Sequence, residues 1–377
     1  MLKVMPVFGT RPEAIKMAPV VQALSACPDI DCRVCVTAQH REMLDQVLRL
    51  FDIRPCYDLD LMKPGQTLTT ITCDVLRGLE PILEKEQPDL LLVHGDTTTT
   101  FAAALAAYYR QIPVGHVEAG LRSGDIYAPY PEEINRRLTG ALAALNFAPT
   151  ELARQNLLRE NAAPESVFVT GNTVIDALLT AVDKPCGLTE PGLERVDWTK
   201  RVILMTCHRR ENWGQPMEEI FAAARAALDS HPDTELLIPV HKNPLVREIA
   251  HRHLDGSPQA HFCEPLDYLP FCHCMKKCCF VLTDSGGLQE EAPALGKPVL
   301  VLRDVTERPE AITAGTARLA GTTYEGVLAA INGLLDDAGL YAAMAHAANP
   351  YGDGRAAGRI LEAILRQGPG LIRPARS

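Results

Sequence analysis

Short apolar runs alternate with helix-patterned segments twice along this chain, which predicts an α/β protein of two domains, each a parallel sheet flanked by helices. Length agrees: 377 residues exceed what one hydrophobic core usually serves and suit two domains. A third observation is where charges and glycines fall. They gather just after the apolar runs, at what would be the C-terminal ends of strands, where open α/β sheets bind their ligands.

Leu2–Phe8 reads as the first strand and runs into Gly9-Thr10-Arg11-Pro12-Glu13, then a helix through Ile15, Val20 and Leu24. Pro12 suits a helix start, where its missing N–H has no partner to lose. Arg11 and Lys16 then lie near a helix N-terminus, a place for a phosphate or carboxylate. Residues 32–37 read as a second strand, followed by Gln39-His40-Arg41 and a helix through Phe51; 67–84 is a further helix. Residues 90–93 are a buried strand ending in His94-Gly95-Asp96, with a Thr-rich helix start after it, and Val114–Val117 is a strand ending in Glu118. Helix capping would explain either carboxylate alone. Two carboxylates ending strands of one pattern point instead to a ligand crevice.

The loop 119–131 carries Arg122, Asp125 and Tyr127 without periodicity and leads into Glu132, Glu133 and a helix. Glu132 and Arg136 are four apart and share a helix face, which a surface ion pair would explain. The long polar loop before them favours an active-site lid. Val167–Val169 and Gly171-Asn172-Thr173 close this half. The stretch 184–195, with Pro185, Gly187, Pro191 and Gly192, reads as a linker, placing the domains at 1–182 and 183–354.

The second half restarts the alternation. Residues 202–206 form a strand ending in Cys207-His208-Arg209, and 236–240 a strand ending in His241. A helix over 268–274 precedes the strand Phe280–Thr283. Asp284-Ser285-Gly286-Gly287 follows and opens another helix that carries Glu290 and Glu291. Unpaired N–H groups at that helix start, with two glycines allowing close approach, suit a phosphate; a plain Gly-rich turn capped by Ser285 is the alternative. Residues 299–302 are the next strand, leading to Glu307-Arg308-Pro309, and 324–335 and 355–366 read as helices. Cys272, Cys274, Cys278 and Cys279 crowd into one helix-to-strand passage. Structural zinc sites space paired ligands further apart, so these read as buried apolar side chains and no metal site is expected.

Totals narrow the function. A net charge of −10 argues against nucleic acid or an anionic membrane as main partner. No apolar run approaches a spanning helix, and Met1–Phe8 is too short for a signal peptide. The 12 scattered cysteines read as reduced thiols of a cytoplasmic protein. No G-x-G-x-x-G fingerprint occurs, so no nicotinamide cofactor is expected. The first half thus offers cations and carboxylates at strand ends, the second a histidine, arginines and a glycine turn. Together they suit a diphosphate-linked ligand, with carboxylates as general acids and bases and cations steadying a departing diphosphate.

The motifs FGTRPEAIKMAPVV, TAQHREMLDQVL, VHGDTTTTFAAALAAYY, HVEAGLRS, PYPEEINRR, VTGNTVID, CHRRENWG, PVHKNP and LTDSGGLQEEAPALGKPVLVLRDVTERPEA are similar to those of the non-hydrolysing UDP-N-acetylglucosamine 2-epimerases. They cover most of the chain, to about residue 315. The resemblance implies a glycosyltransferase-B-like fold: two Rossmann-like α/β/α domains around a deep cleft, the C-terminal helix 355–377 returning to the first, and a homodimer. It implies interconversion of UDP-N-acetylglucosamine and UDP-N-acetylmannosamine for cell-surface polysaccharide precursors, with a UDP-sugar as the only partner besides a second copy. Asp96, Glu118 and Glu132 are then the catalytic carboxylates and His208 lies near the diphosphate. Arg11, Lys16, Arg136, Arg209, His241, Ser285, Gly286, Gly287, Glu291 and Arg308 contact substrate, Glu291 suiting the ribose hydroxyls. Many bacterial members bind a second substrate molecule as activator through a segment matching Gln39, His40 and Arg41; here Pro64-Gly65 stand where a basic side chain is common. Rival readings are an epimerase of a related UDP-2-acetamido sugar, a hydrolysing 2-epimerase, a glycosyltransferase on the same fold, and a non-catalytic sugar-nucleotide sensor, against which the intact carboxylates weigh.

Overall fold

The computed structural model describes every residue except Gln39, His40, Met62, Pro64 and 372–377. The chain forms two compact units, Met1–Ala177 with Tyr351–Ser377, and Leu178–Pro350. The division falls inside the helix Thr173–Val182, ahead of the proline- and glycine-rich 184–195. Such composition marks irregular backbone; where contacts thin out is a separate matter.

The first unit holds an eight-stranded sheet: β1 (Leu2–Phe8), β2 (Ile30–Cys32), β3 (Cys35–Val36), β4 (Tyr57–Asp58), β5 (Leu90–His94), β6 (Val114–Val117), β7 (Leu145–Ala148) and β8 (Val167–Val169). The order is β4-β3-β1-β5-β6-β7-β8, with β2 beside β1, and every pairing is parallel. The second unit holds β9 (Arg201–Thr206), β10 (Thr234–Pro239), β11 (Ala260–Cys263), β12 (Phe280–Thr283), β13 (Val299–Val301) and β14 (Ala317–Leu319). Its order, β11-β10-β9-β12-β13-β14, is again parallel throughout and is the Rossmann order, reversing between β9 and β12. The first sheet reverses between β1 and β5.

Parallel strands are covered by helices on both faces, which is why they read as unbroken apolar runs. All of Leu90–His94 and Phe280–Thr283 is buried. On one face of the first sheet the alanines of helix Thr98–Tyr109 pack beside helix Leu68–Glu86, in a core with Met5, Val7, Leu91 and Val93. In the second unit Ile203, Met205, Phe221, Leu236 and Phe280 share one core.

Three differences from the sequence reading have local causes. The strand expected over 32–37 is two short strands, β2 and β3, both pairing with β1. Strand β7 and the helix Glu151–Arg159 went unread, because Leu145–Ala148 continues the apolar pattern of the helix Glu132–Leu142 before it. Strands β11 and β14 are only 4 and 3 residues long and carry polar residues, below the length at which periodicity is visible.

The C-terminal helix Ala356–Leu371 packs on helix Arg11–Ala26 within the first unit. Its start is held by Asp176, whose carboxylate accepts from Ala357 N at 2.8 Å and Ala356 N at 3.2 Å. These are N–H groups that a helix leaves unpaired. Asp176→Ala should lower the unfolding free energy by about 1 kcal/mol, as lost caps do, and Asp176→Asn, which keeps one acceptor, by less. Urea denaturation of the intact chain measures both; equal midpoints for all three proteins would contradict the role.

Candidate active site

In the first unit the chain after β1 and the chain after β5 are tied together by Glu13. Its carboxylate accepts from Gly9 N at 3.0 Å and Thr10 N at 2.7 Å, and from Thr97 Oγ1 at 2.7 Å and Thr100 Oγ1 at 3.1 Å. Gly9 is required here: a Cβ would stand 1.9 Å from Thr37 Oγ1. The helix after β5 is capped by Thr97, whose hydroxyl accepts from Thr100 N. Asp96 is therefore not the cap, and its carboxylate is left for other work.

Asp96 and Glu118 follow adjacent strands, β5 and β6. Glu118 holds a left-handed backbone, φ 61°, which non-glycine residues adopt at some cost. Lys16 Nζ bonds Glu118 Oε2, and Asn172 Nδ2 donates to the same oxygen at 2.8 Å. Arg136 Nη1 donates to Asp96 Oδ2 at 2.8 Å, and Asn135 Nδ2 to the Asp96 backbone carbonyl at 3.0 Å. Burial pushes the Asp96 carboxyl up to about 6, the charges of Glu118 and Glu132 adding to it while Arg136 and Lys16 pull back. A carboxyl held there changes protonation state near neutrality, as a general acid or base must.

The surface ion pair that would explain Glu132 and Arg136 is not formed among the described residues. Arg136 binds Asp96 and, with Nη2 at 2.9 Å, Glu133. Glu133 is fully buried and also accepts from Arg137 and, at 3.0 Å, from Ser123 N in the preceding loop. Two adjacent glutamates look alike in sequence; only the inward face of the helix separates them. Glu132 is half-buried at the first position of that helix, and Arg11 is half-buried at the first position of its own. Arg41 is occupied by Asp58, Asp45 and Asp60. Gln39 and His40, the other residues read as an activator segment, lie outside the described residues, as does Pro64.

In the second unit the groups collect where the sheet order reverses. Asp284, fully buried after β12, accepts from His208 N at 2.8 Å and Arg209 N at 2.7 Å, and from Asn212 Nδ2 at 3.2 Å. Its other oxygen faces His208 Nδ1 at 3.2 Å. The His208 ring stacks on that of His241 at 5.7 Å, interplanar angle 17°. Burial holds the His208 imidazole below its usual range, His241 and Arg209 adding to this against the pull of Asp284. Ser285 occupies the N-cap position of the helix Gly286–Glu291, yet its hydroxyl makes no capping bond. Arg209 reaches over that helix start, Nη2 being 3.8 Å from where a Gly286 Cβ would lie; Gly287 is exposed. Arg308 is bonded to the buried Glu290, and Glu291 ends the helix with its carboxylate against the buried Tyr268 hydroxyl.

Sequence reasoning missed Glu13, Glu133, Asn172, Asp284 and Glu290 as holders of the site. Of the cysteine-rich passage, Cys272, Cys274 and Cys278 are buried as expected and Cys279 is half-buried; burial pushes the Cys274 thiol up to about 12. The thiol of Cys207 is likewise raised by burial, beside Asp284, which leaves it protonated.

Two Rossmann-like α/β units in the glycosyltransferase-B-like class, with carboxylates at one set of strand ends and an anion-suited turn at the other, define a nucleotide-sugar enzyme. The UDP-N-acetylglucosamine 2-epimerase family model matches residues 22–365. The chain is 56% identical over 369 residues to the UDP-N-acetylglucosamine 2-epimerase of Escherichia coli K12, covering 96% of this chain and 98% of that protein. It is also 56% identical over 364 residues to that of Bacillus subtilis 168, covering 97% and 95%. The crystal structure of UDP-GlcNAc 2-epimerase from Neisseria meningitidis bound to UDP-GlcNAc matches with a TM-score of 0.86 and 49% identity, over 97% of this chain and 100% of that one. The chain belongs to the UDP-N-acetylglucosamine 2-epimerase family.

Burial alone would raise the Glu133 carboxyl, but the Ser123 N–H and the Arg136 and Arg137 guanidiniums hold it below its usual 4.5. A carboxylate lowered on folding contributes its full stability above the unfolded value and loses it as pH falls through the folded one. Glu133→Gln should therefore cost about 1–3 kcal/mol near neutral pH, as partly unpaired buried groups do. That gap should shrink as pH drops below 4.5. Urea unfolding across pH checks this; a gap constant with pH would contradict it.

Proposed function

We propose that this chain interconverts UDP-N-acetylglucosamine and UDP-N-acetylmannosamine by detaching UDP and adding it back. The relatives' names and the bound UDP-GlcNAc of the Neisseria structure support the substrate. One observation carries the chemistry: Asp96, its carboxyl near 6, stands at the strand end next to that of Glu118, which is paired with Lys16.

The C2 hydrogen lies next to no carbonyl, so its removal needs a leaving group at C1. In the first half-reaction a carboxylate takes H2 as a proton. The C–H electron pair becomes the C1=C2 bond, and UDP departs with the C1–O pair. What remains is 2-acetamidoglucal. In the second half-reaction a carboxyl delivers a proton to the opposite face of C2, and a UDP oxygen re-forms the bond to C1. Asp96, Glu118 and Glu132 are the acid–base groups of this reading, with Lys16 and Arg136 as their counter-charges and Arg11 as a further substrate cation. The second unit serves UDP. His208, Arg209, His241, Ser285, Gly286, Gly287 and Arg308 are its diphosphate-side groups, and Glu291 its ribose acceptor. We also infer a cytoplasmic setting from the 12 free thiols, and a homodimeric assembly and the activator role of Gln39, His40 and Arg41 from the family resemblance.

Incubation with UDP-N-acetylglucosamine in D₂O, followed by NMR, tests this. Deuterium should enter C2 of both epimers without added nicotinamide, and Asp96→Asn should slow exchange by roughly 10²–10⁴-fold. Exchange at the wild-type rate in that variant would remove Asp96 from the mechanism.

A further inference from the structure

Lys16, Asn172 and His94 stand near Glu118 Oε2 in the first unit. Lys16 Nζ bonds it and Asn172 Nδ2 donates to it at 2.8 Å, while His94 Nε2 stands off at 3.9 Å. His94 ends β5 and is 3% exposed. Neither of its ring nitrogens has a hydrogen-bond partner in another described residue, and only its own backbone carbonyl bears on the ring. An imidazole always carries at least one N–H, and a buried one left unpaired calls for an explanation. The neighbouring His116 shows the contrast: its Nε2 donates to Gly95 O at 2.7 Å, which fixes its tautomer and clasps the turn before Asp96.

The ring of His94 cannot act as a counter-ion. Burial pulls it down to about 3, and Lys16 and His116 lower it further against the pull of Glu118. Besides these, the charged groups bearing on this corner are Asp96 beside Glu118, and Arg122 and Arg136 beside His116. What a neutral, buried imidazole offers is a single directed donor. Lys16 is the partner of Glu118 most suited to a second task, since an ammonium is drawn to any anionic group of a ligand.

We propose that His94 is a positioning residue for Glu118, its Nε2–H becoming the donor to Oε2 when Lys16 turns from that oxygen to an anionic group of the substrate. The movement needed is about 1 Å, from 3.9 Å to ordinary hydrogen-bond length. His94 then keeps the carboxylate aimed, and its proton affinity steady, through the step in which its ion pair is given up. This rests on the reading of Glu118 as an acid–base group.

Steady-state kinetics with UDP-N-acetylglucosamine across pH, for His94→Phe, His94→Gln and Glu118→Gln, test it. In His94→Phe kcat should fall on the order of tenfold, the size of loss when a partner that orients a reacting group is removed. KM should change less than kcat, since His94 itself touches no substrate atom and acts through Glu118. The pH limb that reports Glu118 should move upward, because the ionised carboxylate has lost a donor. His94→Gln, which keeps an amide N–H near the Nε2 position, should restore most of both. Equal losses in the Phe and Gln variants with an unmoved pH limb would reduce His94 to packing and overturn the proposal. So would a wild-type kcat in His94→Phe. Undiminished turnover in Glu118→Gln would instead overturn the parent reading, and this one with it. In ¹⁵N-histidine NMR of the intact wild-type protein, UDP-N-acetylglucosamine should shift the His94 Nε2–H proton downfield; no change on saturation would equally count against the proposal.

Discussion

Every pairing between the named strands of the described residues is parallel, and the central strands of both sheets are buried. That arrangement pairs the backbone polar groups of the central strands and leaves those strands no wet face on which to place charge. Ionisable groups with chemical work to do are therefore confined to the C-terminal rim of each sheet, where the chain turns from strand to helix. There each buried charge has to be met by an opposite charge or by N–H groups.

The two rims meet this demand differently. In the second unit one Asp284 oxygen is met by the backbone N–H groups of His208 and Arg209 and by Asn212, which shapes the chain around His208 and Arg209. In the first unit the carboxylates are met by side chains, Lys16 for Glu118 and Arg136 for Asp96. Side-chain ion pairs can be exchanged for a ligand at less structural cost than backbone hydrogen bonds. The charges of the first rim are thus the more readily exchanged for those of a ligand. Arg136 links the two glutamate and aspartate positions of the first rim: it spans Asp96 and the buried Glu133, so the helix Glu132–Leu142 is fastened at the carboxylate it serves.

Much of this is legible in the amino-acid sequence. Apolar runs such as Leu90–His94 and Phe280–Thr283 announce strands buried on both faces, and the residues just after them mark the rim. Asp96 and Glu118 stood out by position alone. The holders of those residues did not. Whether Arg136 meets Glu132 or Glu133 depends on which side of one helix turn faces the sheet. That Asn172 after β8 reaches Glu118 after β6 depends on strand order, which no local pattern encodes. Short strands such as β14 fail for a different reason: three residues cannot display a period. What sequence lacks, in each case, is the tertiary partner.

On the proposed mechanism the bond between C1 and the diphosphate oxygen breaks and re-forms during turnover. UDP-N-acetylglucosamine labelled with ¹⁸O in that bridging position tests it most directly. If UDP is detached, its terminal phosphate can rotate before returning, and the label should scramble into the non-bridging positions of that phosphate in recovered substrate and product alike. Epimerisation carried to equilibrium with all of the label still in the bridge would contradict it.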